Sequence, residues 1–232
     1  MKRIIHSTAI LFILLLGCSF CSLDTSAQDV RKLEPFEGIG ISVNADVFYT
    51  QGSGHQIRIE GKNQDVEDLI TEVKDGFLQV RYENYRIRRS KLTIYITSEE
   101  LETVKISGSA KFMAEKAVAS DEMEFAVSGS GGAIFEKLDS DEVEVYLSGS
   151  GYVELAGGMA DELEAKISGS GQINAEDFKV SECSAIISGS GNCRIAVKDE
   201  LDAKISGSGS VYYKGNPEVN VISSGSGGVK SL

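Results

Sequence analysis

Six glutamates recur at nearly constant spacing in the second half of this chain: Glu122, Glu142, Glu162, Glu182, Glu200 and Glu218, with Asp121, Asp141, Asp161 or Asp199 directly before four of them. Carboxylates carried to equivalent places on successive units repel one another, so the recurrence asks for a reason. Calcium takes hard oxygen ligands and would be shared between neighbouring units. The competing reading is a solvated turn that keeps the protein soluble and blunts sideways aggregation. Elsewhere a basic cluster, Arg81, Arg86, Arg88, Arg89 and Lys91, interleaves with Tyr82 and Tyr85. It would dock an anionic glycan or lipid head group, or pair with acids nearby.

Scarce residue types limit the chemistry further. His6 and His55 are the only histidines, which argues against a His pair, a His-rich zinc site or a Ser-His-Asp triad, and no catalytic residue or cofactor other than calcium is expected. Lys+Arg 23 against Asp+Glu 35 gives a formal net charge of −12, which becomes −13 if Lys2, Arg3 and Asp24 leave with a leader. Phosphate neutralisation needs the opposite sign, so nucleic acid is not an expected partner.

The glutamates belong to a longer repeat, the feature to seek first in such a chain. Ile106-Ser107-Gly108-Ser109 returns as Val127-Ser128-Gly129-Ser130 and then at Ser148, Ser168, Ser188, Ser206 and Ser224, with offsets of 21, 20, 20, 20, 18 and 18. Five, three and one positions before that Ser, the residues are apolar, as in Met123, Phe125 and Val127 or Leu201, Ala203 and Ile205. Between them stand Glu124, Glu144, Glu164, Lys166, Asp202 and Lys204. Such alternation is a strand with one buried face. A second strand follows the corner through Ala133 and Phe135, Val153 and Leu155, Ile173 and Ala175, Cys193 and Ile195, Val211 and Tyr213, and a weaker third apolar position is Leu138, Phe178 and Val197.

A unit of this size cannot bury its apolar face alone; stacked units do, each strand pairing in parallel with its equivalent one turn later. An all-β parallel β-helix is the natural solution, with rungs about 4.8 Å apart. An eight-stranded barrel or sandwich is the rival. Gly permits the positive φ of a sharp corner, and Ser bonds neighbouring backbone, so the SGSG corners are read as structural ahead of a binding stripe for sugars or anions. They are neither a phosphate loop, since no GK[ST] follows, nor the calcium-binding nonapeptide.

Residues 36–106 alternate as strands but lack the corner, and are read as irregular opening rungs that cap one end. Within them, Lys74-Asp75-Gly76-Phe77 predicts a hairpin turn, and Asn63 to Leu69 a short helical turn capped near Asn63. Lys2-Arg3 and the apolar run Ile4 to Leu16 read as a secretory signal, too short to span a bilayer. Cleavage after Ala27 competes with a lipobox, Leu15-Leu16-Gly17-Cys18, in which Cys18 carries the lipid anchor. The expected organisation is a leader over 1–27 (or 1–17), a linker over 28–35, and one domain over 36–232 whose SGSG repeats occupy 107–226. Export means an oxidising compartment, yet Cys183 and Cys193 sit in apolar columns and are expected as buried, unbridged thiols.

The segment FEGIGISVNADVFYTQG and the tandem ISGSG corners resemble the putative auto-transporter adhesin head GIN domain family, over roughly Phe36 to Ser226. The resemblance implies a right-handed β-helix on secreted or envelope proteins and supplies no catalytic residue. Only the last corner departs from it, where Ile222-Ser223-Ser224 has an extra Ser. The function expected is non-enzymatic adhesion, surface binding or scaffolding at the periplasm, outer-membrane surface or exterior, with an envelope, glycan or host-surface ligand. End-to-end stacking into a polymer and a pectinase-like polysaccharide lyase or hydrolase are the alternatives. Acids that follow the repeat argue against the enzyme, because catalytic sites usually interrupt a scaffold's periodicity.

Overall fold

The computed structural model describes residues 26–84 and 89–232. Alternation along Val118–Gly129 places Met123, Phe125 and Val127 inward and buried, while Glu124 and Ala126 face out. The next repeats do the same, and their strands pair in parallel: Met123 with Val143, Val143 with Leu163, Leu163 with Cys183 and Cys183 with Leu201. Identical positions therefore stack into ladders, and the chain winds as a β-solenoid of about 6 turns with parallel bridges about 20 residues apart. The rival barrel or sandwich needs hairpins within the repeat, and none forms there.

The corner is made by close backbone stacking. Gly129 holds φ 117°, a region that side chains disfavour. The N–H of Ser130 donates to the Gly108 carbonyl at 2.9 Å, and that of Ser150 to the Gly129 carbonyl at 2.9 Å. Ser170, Ser190, Ser208 and Ser226 repeat the contact one rung later each. Corner amides are thus used inside the ladder, which leaves the hydroxyls of Ser128, Ser148, Ser168 and Ser188 on the exposed side.

Within the repeats, two details differ from the sequence reading. Ser223 pairs with Ile205 and Ser224 with Ser206, so Ser223 replaces the apolar residue of its column and is not an extra residue. Val197 pairs with Val180, not with the column of Leu138 and Phe178, because the rung shortens and the register shifts between Ala175/Lys179 and Val180/Glu182.

The opening part mixes directions. Gly38–Ile41 lies parallel between Phe77–Tyr82 and Thr103–Gly108, and Ala45–Gln51 between Leu92–Ser98 and Lys111–Ala114. Leu69–Lys74 and Phe77–Tyr82 form the expected hairpin, turning on Asp75 and Gly76 at φ 49° and 73°. The helix Asn63–Glu67 also falls where expected, although Lys62 occupies its N-cap and no side chain caps it. Residues 28–35, read as a linker, are mostly strand: Ser26–Lys32 pairs antiparallel with Gln56–Lys62. Arg31 holds it there, donating to the Leu69 carbonyl at 2.7 Å, Thr71 Oγ1 at 2.9 Å and the Val66 carbonyl at 3.0 Å.

Inside, Tyr49, Phe112 and Phe135 stack with centroids 5.7 and 5.8 Å apart, and Phe125 meets Phe135 edge-on at 5.1 Å. Full burial of each such side chain contributes ~1.5–3 kcal/mol. The Tyr49 hydroxyl has a partner in Ser98 Oγ at 3.0 Å, and burial pushes its pKa up to about 12.

Candidate functional site

Parallel register brings the predicted glutamates into one file. Glu122, Glu142, Glu162, Glu182, Glu200 and Glu218 are successive register partners, all exposed. An inner file lies two residues along each strand, and its members have partners: Glu124 meets Lys105 at 3.3 Å, Glu144 accepts from the Tyr146 hydroxyl at 3.1 Å, and Glu164 meets Lys166 at 2.7 Å. Among the described residues no cation pairs with Glu122, Glu142, Glu162 or Glu182. Between the files runs a shallow groove of about 240 Å³, lined by Glu142, Glu162, Glu164, Glu182, Ser184, Glu200 and Asp202.

Neighbouring carboxylates about one rung spacing apart crowd one another's hydration. The Glu142 carboxyl is raised above its ordinary value by partial desolvation, then by Glu144, Glu122, Glu162 and Glu164. Glu102 is raised in the same way, by desolvation first and then by Glu37, Glu100, Glu122 and Asp121. This second cluster lies beyond the repeats and was not singled out in the sequence. Glu37, Glu100 and Glu102 come within 4.8 Å of one another through their carboxylate oxygens. Glu37 arrives on one segment and Glu100 and Glu102 on another, held together where Glu102 donates its N–H to the Glu37 carbonyl at 2.8 Å. The only advance signal was the local run Glu99, Glu100, Glu102 before the first corner. Asp199 leaves the pattern, since it pairs with Lys198 at 3.0 Å.

Other candidates fall to structural duties. His55 Nδ1 accepts the Phe36 N–H at 3.4 Å and its ring packs edge-on to Phe36 at 5.2 Å. Arg89 pairs with Asp65 at 3.3 Å and Asp68 at 2.6 Å, Lys91 with Asp46 at 2.7 Å and Arg81 with Glu72 at 3.7 Å. The described part of the basic cluster is therefore joined to the cap's own acids; Tyr85, Arg86 and Arg88 lie outside the described residues. Cys183 and Cys193 are buried and free, as expected from their columns. The leader through Thr25, with Cys18, also lies outside the described residues, whereas Ser26 and Ala27, read as its end, begin the strand Ser26–Lys32. Among those described, no helix is long and apolar enough to cross a membrane.

What the site offers is a long polyanionic file on a scaffold that repeats rather than encloses. Fold and surface together define a repeat protein of the parallel β-solenoid class. The chain belongs to the family described as putative auto-transporter adhesin, head GIN domain, whose model matches residues 35–217. Among solved structures it is similar to a putative adhesin from Bacteroides fragilis, with TM-score 0.84 and 24% identity over 90% of this chain and 97% of that one. A putative adhesin from Parabacteroides distasonis gives TM-score 0.74 and 23% identity over 90% and 97%. A protein from the same species called a putative lipid binding protein gives TM-score 0.73 and 24% identity over 89% and 96%. No protein of curated function matches the chain.

Proposed function

We propose that this protein is a non-enzymatic, exported β-solenoid of the cell envelope that binds surface ligands or scaffolds them along its broad faces. The observation that carries this reading is the unbroken acidic file from Glu122 to Glu218, in register on every SGSG rung. An enzyme's acid and base would occupy a local exception with separated environments. The carboxylates of this file repeat, and the described histidine is engaged by Phe36. The family's adhesin description and the neighbour called a putative lipid binding protein support glycans and lipid surfaces as the ligand classes to try.

Purified protein is incubated with uronate-containing glycans, neutral glycans and lipid vesicles, followed both by pull-down and by assay for new sugar ends. Retention without cleavage is the expected result. Release of unsaturated products would replace this reading with a polysaccharide lyase. Export is tested by the intact mass of protein from its native host: a start at Gln28 means a secreted chain, and an acylated Cys18 means a lipoprotein.

A further inference from the structure

The two ends of the solenoid are built differently. At the N-terminal end the outer strands run antiparallel to their neighbours, and the helix Asn63–Glu67 and the Arg31 guanidinium tie them together. Those outer strands carry Asp29, Arg31 and Lys32 on one and Glu72 and Lys74 on the other. Charge on a free edge is the usual defence against pairing with another molecule.

Among the described residues the C-terminal end has no such cover, and there Glu218–Gly225 and Gly228–Ser231 pair only with the rung before them. Leu201 and Ala203 are 0% and 2% exposed, whereas Val221, next in the Ala203 column, is 45% exposed and outward-facing Ile222 is 67% exposed. From Val219 to Val229 the chain carries no charge. On most earlier rungs at least one of the two outward positions before the corner is charged, as Glu124, Glu144, the pair Glu164 and Lys166, or the pair Asp202 and Lys204; here they are Asn220 and Ile222. Of the other rungs only that of Ser184 and Ile186 is similarly neutral, and it is covered on both sides.

We propose that the C-terminal rung is a self-association surface, on which Glu218–Gly225 lies antiparallel to the same strand of a second copy about a two-fold axis. An exposed strand edge is satisfied by another strand. Two molecules of net charge −12 repel least where their surfaces are neutral, and this edge, uncharged from Val219 to Val229, is such a surface. A two-fold contact is closed and self-complementary, so it joins tail to tail and stops at a dimer. Head-to-tail stacking would set the neutral edge against the charged, antiparallel cap and does not fit. Antiparallel pairing also keeps Glu218 away from its symmetry mate, opposite the far end of the partner strand.

The test uses the full chain. Sedimentation between about 1 and 100 µM should show a dimer for the wild type, and Val221→Lys with Ile222→Lys should weaken it at least about a hundredfold, by placing like charges at the contact. Because those changes could loosen the last rung, hydrogen exchange of the unaltered protein supplies a second readout. Amides of 219–225 should gain protection as concentration rises through the dimer range, while those of Leu69–Lys74 do not change. A wild type that stays monomeric at 100 µM overturns the proposal. So does a dimer that survives both lysines and protects the N-terminal strands instead.

Discussion

Gly149 crosses Gly129 so closely that a methyl group on Gly149 would sit 2.8 Å from the Gly129 carbonyl oxygen. Its φ of 111° already disfavours a side chain. Gly149→Ala should therefore lower stability by about 1–3 kcal/mol, read by urea unfolding, from strain and overlap together. Ser148→Ala, on the exposed side of the same corner, should stay within about 0.5 kcal/mol. Equal effects at the two positions would refute the backbone account of the corner.

The acid response has two limbs. The Glu142 carboxyl is raised in the folded chain by desolvation and by its four carboxylate neighbours, so protonating it favours folding. Its contribution is fully present below the ordinary value of 4.5 and is lost as pH rises through the folded value. Asp65 runs the other way: burial opposes its ionisation, but hydrogen bonds from Ser90 and Arg89 prevail and lower its pKa below 3.8. Its stabilisation is lost as pH falls through that lowered value. Melting temperature should rise slightly between pH 7 and about 4.5, then fall in stronger acid. Glu142→Gln should flatten the first limb. Asp65→Asn should cost about 1–3 kcal/mol at neutral pH by weakening buried charged hydrogen bonds.

Screening should relieve the Glu122–Glu218 file, so sodium chloride is expected to raise the melting temperature. At matched ionic strength, millimolar calcium should add nothing further if the file is a solvated face. An added stabilisation that saturates, reaching about 2.7 kcal/mol at a hundredfold excess over Kd, would assign a bound ion instead. Glu142→Gln with Glu162→Gln should then abolish it.

Burial pushes the Cys193 thiol up to about 12 and Cys183 well above its ordinary value, with the Cys193 charge adding to the latter. Neither should react with an alkylating reagent in the native protein at pH 8, since the thiolate is the nucleophile. Both should be labelled in denaturant without reductant. A mass consistent with a bridge would contradict the free thiols.

The repeating half was legible because parallel stacking makes sequence period and spatial neighbour the same thing: Glu142 is next to Glu122 and Glu162 in both. That equivalence fails in the opening part. Gly38–Ile41 sits beside both Phe77–Tyr82 and Thr103–Gly108, partners with no common spacing, so the cluster of Glu37, Glu100 and Glu102 left no pattern to read. The strand Ser26–Lys32 escaped for a related reason. Its outward Val30 is 55% exposed, which inverts the alternation a buried face would write, and its attachment depends on the Arg31 side chain.

The closed N-terminal end also bears on how the molecule is assembled. A growing or translocating chain presents that end first, and its antiparallel pairs and helix need no later rung for their hydrogen bonds. Once formed, they offer a finished strand edge on which the next twenty or so residues settle, and each rung becomes the mould for its successor. Vectorial emergence and vectorial folding then run in the same direction, so the long-range pairing that slows β-proteins is met one short loop closure at a time.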